Sequence, residues 1–242
     1  MAHGTPDYGP TAALKTVYTA LDFAELAARL GSPVTFDRRG NIIWFDDFSG
    51  SLCSWKRALS GAASSAEITN LHSRSGAFSV ECITHPTANR SAGLTHTRAV
   101  PVLSRIGFEL SFSMCDNNWQ LELLTNLDTG TERHEANIVW DEPTRLLNYY
   151  GNDSLYHEFG PAIPLDYDLY CFNTLKIVLD YTTYKYVRAI LNGVSIDMSA
   201  YTYRHLNIVA SPNLHFSIVT RTQEAAVKTM YLDDVIITQN EP

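Results

Sequence analysis

Two apolar runs near the ends of this chain carry the same acidic signature. They are Ile42-Ile43-Trp44-Phe45-Asp46-Asp47-Phe48 and Met230-Tyr231-Leu232-Asp233-Asp234-Val235-Ile236-Ile237-Thr238, each with an Asp-Asp pair set into a strand-like stretch. Rich in β-branched and aromatic residues, both suit the pleated, half-buried surface of a strand. An unpaired edge strand exposes a row of N–H and C=O groups that invites aggregation. A domain with matched first and last strands is therefore expected to close by pairing them.

The residues between follow a two-residue period. Strands are expected over Ala77–Cys82, Ile106–Met114, Gln120–Leu124, Ala136–Trp140, Leu146–Tyr150, Thr174–Asp180, Tyr184–Leu191, His215–Val219 and Thr229–Thr238. Turn residues separate them, among them Asp128-Thr129-Gly130, Asp141-Glu142-Pro143 and Gly151-Asn152-Asp153. Asn192-Gly193 is the strongest hairpin signal, because a type I′ turn needs positive φ at both central positions. Arg38-Arg39-Gly40-Asn41 reads as a further turn, between Val34-Thr35-Phe36-Asp37 and Ile42-Ile43-Trp44-Phe45. Many strands at short spacing predict an all-β sandwich or jelly roll over residues 34–242.

Residues 1–33 read differently. The first eleven hold Pro and Gly without periodicity, which predicts an extended arm. Asp22 and Glu25 form a capping-box pattern for a short helix, Phe23–Leu30, with Gly31 at the left-handed stop and Pro33 beyond it. The expected organisation is thus an arm with one short helix (1–33), then the sandwich (34–242).

Composition narrows the partners. A net charge of -8 with 18 scattered Lys and Arg argues against nucleic acid. No apolar run reaches the roughly 18 residues that a membrane-spanning helix needs. Met1-Ala2-His3-Gly4 opens neither a basic nor an apolar leader, so no secretion signal is expected. Cys53, Cys82, Cys115 and Cys171 form no Cys-x-x-Cys and are expected to be buried free thiols.

Phe45-Asp46-Asp47-Phe48-Ser49-Gly50-Ser51-Leu52, Trp55 and Ser75-Gly76-Ala77-Phe78-Ser79-Val80, with the closing Tyr231-Leu232-Asp233-Asp234-Val235, resemble jelly-roll carbohydrate-binding modules. Phe172-Asn173-Thr174-Leu175-Lys176-Ile177-Val178-Leu179-Asp180, Tyr186 and Leu191-Asn192-Gly193 are similar to strands of concanavalin A-like and laminin G-like sandwiches. The resemblance spans about residues 42–240. It implies a glycan-binding module, a glycosidase or a structural domain of a phage virion. Its glycosidases carry Glu-x-Asp-x-x-Glu on one strand. Here Glu109 and Glu122 each offer a single carboxylate, and no such spacing occurs. His134-Glu135 and His157-Glu158 begin a zinc-protease motif without its second His. The eight His are dispersed, and His85, His96, His205 and His215 are expected to make ordinary hydrogen bonds.

Two candidate sites follow. The resemblance implies a structural Ca²⁺ on Asp46, Asp47, Asp233 and Asp234; the alternative is that these aspartates cap a bulge or turn. A sugar-binding platform is expected at Trp119, Trp140, Tyr149 and Tyr150, beside Asn117 and Asn118, while Trp44 and Trp55 are expected in the core. The arm favours a non-enzymatic structural or decoration subunit of a phage-like virion or similar particle, assembled in the cytoplasm and contacting itself or other subunits through residues 1–33. A lectin-like carbohydrate-binding module with surface glycans as partners is the alternative, and a concanavalin A-like glycoside hydrolase is the second.

Overall fold

A computed structural model describes residues 39–114 and 117–242. The strands, in chain order, are β1 (Asn41–Asp46), β2 (Trp55–Leu59), β3 (Ser65–Thr69), β4 (Ser79–Ile83), β5 (Ser91–Arg98), β6 (Arg105–Met114), β7 (Trp119–Asp128) and β8 (Arg133–Asp141). They continue with β9 (Leu146–Tyr150), β10 (Tyr156–Phe159), β11 (Asn173–Asp180), β12 (Lys185–Leu191), β13 (Val194–Asp197), β14 (Arg204–Leu206), β15 (Asn213–Thr222) and β16 (Thr229–Gln239). Among the described residues the only helical element is a 3-10 turn at Leu52–Ser54, and no helix is long and apolar enough to cross a membrane. The expected arm, the helix Phe23–Leu30, residues 34–38 and Cys115 lie outside the described residues.

Two eight-stranded antiparallel sheets form the sandwich. The first runs β13-β12-β11-β6-β16-β4-β3, with β1 added to β16; the second runs β10-β9-β8-β7-β15-β5-β2, with β14 added to β8. The expected pairing of the ends is present: Phe45 lies opposite Ile236 and Asp46 opposite Val235. β16 serves two neighbours on one side, pairing β4 over Thr229–Leu232 and β1 over Val235–Gln239. The change of neighbour falls at a bulge between Asp233 and Ile236 in the ladder with β6. Asp234 takes a left-handed φ of 47° there, the backbone region used in G1-type bulges.

Alternate residues of each strand meet in the core. Phe108, Leu110 and Phe112 of β6 face Trp119, Leu121 and Leu123 of β7, with Phe216 and Ile218 of β15 beside them, all buried. Trp44, Trp55, His96 and Phe216 pack as a ring cluster at 4.2–6.1 Å, so Trp44 and Trp55 do serve the core. At the β12–β13 hairpin, Asn192 and Gly193 adopt φ 47° and 81°, the type I′ signature expected from the sequence. Cys82 is a buried free thiol, but Cys53 and Cys171 are exposed, because they sit in the 3-10 turn and a loop rather than at inward strand positions.

The outer face of the first sheet carries a buried ion cluster. Glu241 accepts from Lys176 Nζ at 2.8 Å, from Thr238 Oγ1 at 2.5 Å and from the Arg188 guanidinium. Arg188 also reaches the Pro242 carbonyl at 2.8 Å, and Glu241 N–H donates to the Arg105 carbonyl at 3.1 Å. Gly107 keeps the space open, since a Cβ there would lie 2.8 Å from Glu241 Oε1 and 2.4 Å from Thr238 Oγ1.

Candidate functional site

The two aspartate pairs do converge, yet their donors are those of a capped bulge. Asp233 Oδ2 accepts the Arg74 and Ser75 N–H groups at 2.8 and 3.1 Å, and Oδ1 accepts the Asp234 N–H at 2.8 Å. Asp234 takes the Ser75 hydroxyl at 2.7 Å and Arg74 Nη1 at 3.2 Å. Asp46 binds Phe48 N–H and Trp55 Nε1–H, and Asp47 binds Ser49 N–H. Calcium needs six to eight oxygen ligands. Here Asp46 and Asp233 accept N–H groups, Asp234 takes a hydroxyl and a guanidinium, and Asp47 accepts one N–H, the pattern of the structural alternative in which the aspartates cap a bulge and a turn.

Burial, and next the charge of Asp234, push the Asp233 carboxyl up to about 6; the Ser75, Arg74 and Asp234 N–H groups oppose this. The ordinary value is 3.8, so between that and about 6 the folded chain holds a proton that the unfolded chain releases. Its contribution to stability is full below the unfolded value and is lost as pH rises through about 6. Asp47 and Asp234 carry the neighbouring acidic charge and Arg74 the basic one. The ¹³C shift of the Asp233 carboxyl is expected to titrate with a midpoint near 6; a midpoint near 4 would contradict this burial.

The tryptophans expected to form a platform are core residues. Trp119 and Trp140 are 1% and 0% exposed, pack against each other at 5.0 Å, and point inward from β7 and β8. An inward position leaves no ring face for a ligand, so this expectation is corrected. Tyr149 lies on the same inner side, stacked on Tyr201 at 4.5 Å. Asn118 is a left-handed turn residue at φ 55° whose amide donates to Glu224 at 3.1 Å, and Asn117 is exposed in the same turn. Tyr150 alone of the expected set turns to the outer face, where its ring meets Tyr156 at 5.1 Å.

That outer face of the second sheet holds an open groove of about 620 Å³. Outward positions of four adjacent strands build it: Gln120, Glu122 and Leu124 from β7, Asn137, Val139 and Asp141 from β8, Asn148 from β9, and Tyr156 and Glu158 from β10. Arg221 of β15 and Thr144 complete the lining. Cross-strand register explains the grouping, because Glu122 lies opposite Val139, Val139 opposite Asn148, and Asn148 opposite Glu158.

The polar groups of the groove are held in place. Arg221 grips Glu122 bidentately, through Nε to Oε1 and Nη2 to Oε2 at 2.9 Å, and Nη1 bonds the Asn89 carbonyl at 3.2 Å. Such a fork fixes both orientation and charge. Asp141 accepts from Gln120 at 2.8 Å, Gln223 at 2.6 Å and Thr144 at 2.9 Å. Tyr156 is 49% exposed. Desolvation, and then Glu122, raise its phenol, while Asn137 and Arg221 pull the other way.

Glu122 stands as a single carboxylate when its own strand is read alone. Its neighbours Asp141 and Glu158 come from other strands, so no spacing along one strand could reveal the group. The sequence does carry a trace of it in the polar outward positions of β7 and β8, Gln120-x-Glu122 and Asn137-x-x-x-Asp141.

No family model matches the sequence, and no curated protein is similar to it in sequence. Solved structures do share its architecture. An endo-beta-1,4-glucuronan lyase from the fungus Trichoderma reesei has a TM-score of 0.59 at 9% identity, covering 83% of this chain and 96% of the lyase. The fold is a jelly-roll β-sandwich. A carbohydrate esterase from the Shiga toxin-encoding bacteriophage phi24B has a TM-score of 0.52 at 15% identity, covering 84% of this chain and all (100%) of the esterase. A GH16 protein of the Bacteroides ovatus mixed linkage glucan PUL has a TM-score of 0.51 at 13% identity, covering 81% and 100%. These likenesses establish the jelly roll. They also overturn the expectation that the chain is not an enzyme, which rested on the missing Glu-x-Asp-x-x-Glu spacing and on the N-terminal arm: solved structures with this fold include a lyase, an esterase and a GH16 protein.

Proposed function

We propose that this protein is a carbohydrate-active domain that holds a glycan chain in the groove on the outer face of the second sheet. The observation that carries this reading is the groove itself: amides, carboxylates and a fixed arginine converge beside a half-exposed tyrosine. Sugars present hydroxyls that amides and carboxylates bind, and apolar ring faces that stack on an aromatic ring. Tyr156, backed by Tyr150, supplies that ring. Glu122, Asp141 and Glu158 outweigh the one guanidinium of Arg221, so the groove favours a neutral glycan over a polyuronate. The decoration-subunit expectation depends on residues 1–33, which lie outside the described residues; the groove supports the carbohydrate alternative in its place.

Calorimetric titration with neutral β-glucan and xylan oligosaccharides, against oligouronates, tests the reading. Tyr156→Ala is expected to weaken binding about tenfold, the loss of about 1.4 kcal/mol. Trp119→Phe, a change in the core, is expected to leave affinity intact. Binding that survives Tyr156→Ala, or that selects oligouronates, would sink this assignment.

Turnover of the bound chain is the second reading, favoured by carboxylates from β7, β8 and β10 facing one groove. Glycosidic cleavage uses two such groups, one to protonate the leaving oxygen and one to attack or to activate water. Release of reducing ends from a bound neutral glycan, abolished by Glu122→Gln or Asp141→Asn, would establish it. Retained release in both variants would remove these two residues from the chemistry.

A further inference from the structure

At the far end of β8 from Asp141, three ligand-type side chains meet around a gap that none of them closes. His134 is the first inward residue of β8, His205 lies directly opposite it on β14, and Glu132 ends the turn before β8. Thr129 fixes that turn, its N–H bonding the Glu132 carbonyl at 2.9 Å and its Oγ1 accepting the Glu132 N–H at 3.2 Å. One ligand atom from each of the three lies within 4.8 Å of the other two.

The separations are those of ligands around a shared ion. Glu132 Oε2 is 3.7 Å from His134 Nε2, and Oε1 is 3.6 Å from His205 Nε2. Both exceed a hydrogen bond. Two ligands bound tetrahedrally at 2.0–2.1 Å stand about 3.4 Å apart, close to these values. His205 Nε2 is buried without a hydrogen-bond partner although a carboxylate faces it.

The two rings are also held in place. Tyr184 stacks on His134 at 5.2 Å and 14°, and lies 4.5 Å from the His205 ring. Tyr181 and Tyr203 meet His134 edge-on at 5.8 and 6.0 Å.

We infer that Glu132, His134 and His205 form a binding site for a divalent transition metal of the zinc class. Two imidazoles and one carboxylate suit zinc, and three protein ligands leave a further position for water or another ligand. The ion would tie the three-residue strand β14 and the β7–β8 turn to β8. The site is separate from the glycan groove and does not depend on that reading.

The test is zinc titration of the full chain, stripped with a chelator, in competition with a chromophoric chelator. One equivalent is expected to bind. His205→Ala and Glu132→Gln are each expected to weaken binding tenfold or more, with unchanged far-UV circular dichroism. The double substitution Cys53→Ser/Cys171→Ser removes the two exposed thiols among the described residues and is expected to leave binding intact. Cobalt in place of zinc is expected to show a visible spectrum without thiolate charge transfer. The absence of stoichiometric binding would overturn the assignment. So would binding that is lost with the cysteines and kept by Glu132→Gln and His205→Ala.

Discussion

Glu241→Ala is expected to lower the unfolding free energy by about 3–5 kcal/mol, the usual result of removing one partner from a buried ion pair. Few residues one position from the end of a sequence would do so. Glu241 is an exception because its carboxylate, on a fully buried side chain, is the shared acceptor of Lys176, Arg188 and Thr238. Lys176 and Arg188 are themselves almost fully buried, on β11 and β12. Removing the acid takes the nearest negative charge from two cations that remain out of water, and those cations carry most of the cost. Glu241→Gln is expected to cost less, since it keeps the shape and one acceptor oxygen. In a chain of this size the alanine variant should melt about 10 °C lower. Urea unfolding of the three proteins measures the effect. A loss below about 1 kcal/mol would mean that Glu241 is solvated.

Arg221→Ala is expected to disable the groove and to cost about 2–3 kcal/mol of stability. The stability cost lies below the full range for a buried pair because the Arg221 side chain is about one-third exposed. Glu122 is buried and would face the groove without the guanidinium that orients both of its oxygens. Its carboxylate would then turn toward other donors, and glycan affinity should fall by about 2 kcal/mol or more. Arg221→Lys is not expected to restore it, because an ammonium cannot form the two parallel bonds. The double variant Arg221→Ala/Glu122→Gln should be more stable than Arg221→Ala alone, since the lone carboxylate is gone. The cycle of single and double variants is expected to give a coupling of about 1–3 kcal/mol. Additive effects would show that the two side chains do not act as a unit.

Strand content was legible because its signals are local. The period of two along Arg105–Met114 and Asn173–Asp180 follows directly from the backbone pleat, and Asn192-Gly193 specifies its own turn. The strands that escaped reading are β2, β3, β5, β10 and β14. Trp55–Leu59 and Ser65–Thr69 hold Lys, Arg, Ala, Ser and Glu, and Ser91–Arg98 includes Gly93 at a point of close approach to the Ile218 backbone. Neighbouring strands, and not intrinsic preference, keep these segments extended. The tryptophans were misassigned for a related reason. A Trp next to a polar turn looks exposed in sequence, whereas one step along a strand reverses its face.

The sequence by itself determined that this chain is an all-β sandwich, and that its first and last Asp-Asp strands pair with each other. Alternation and turn chemistry are properties of neighbouring residues, so no tertiary information was needed. Only the tertiary structure decided which side chains share a site. Glu122, Asn137, Glu158 and Arg221 come from four strands, and His134 and His205 from two that pair across a long stretch of chain. Cross-strand register sets those neighbours, and register is fixed by the packing of whole sheets rather than by any residue's local preference.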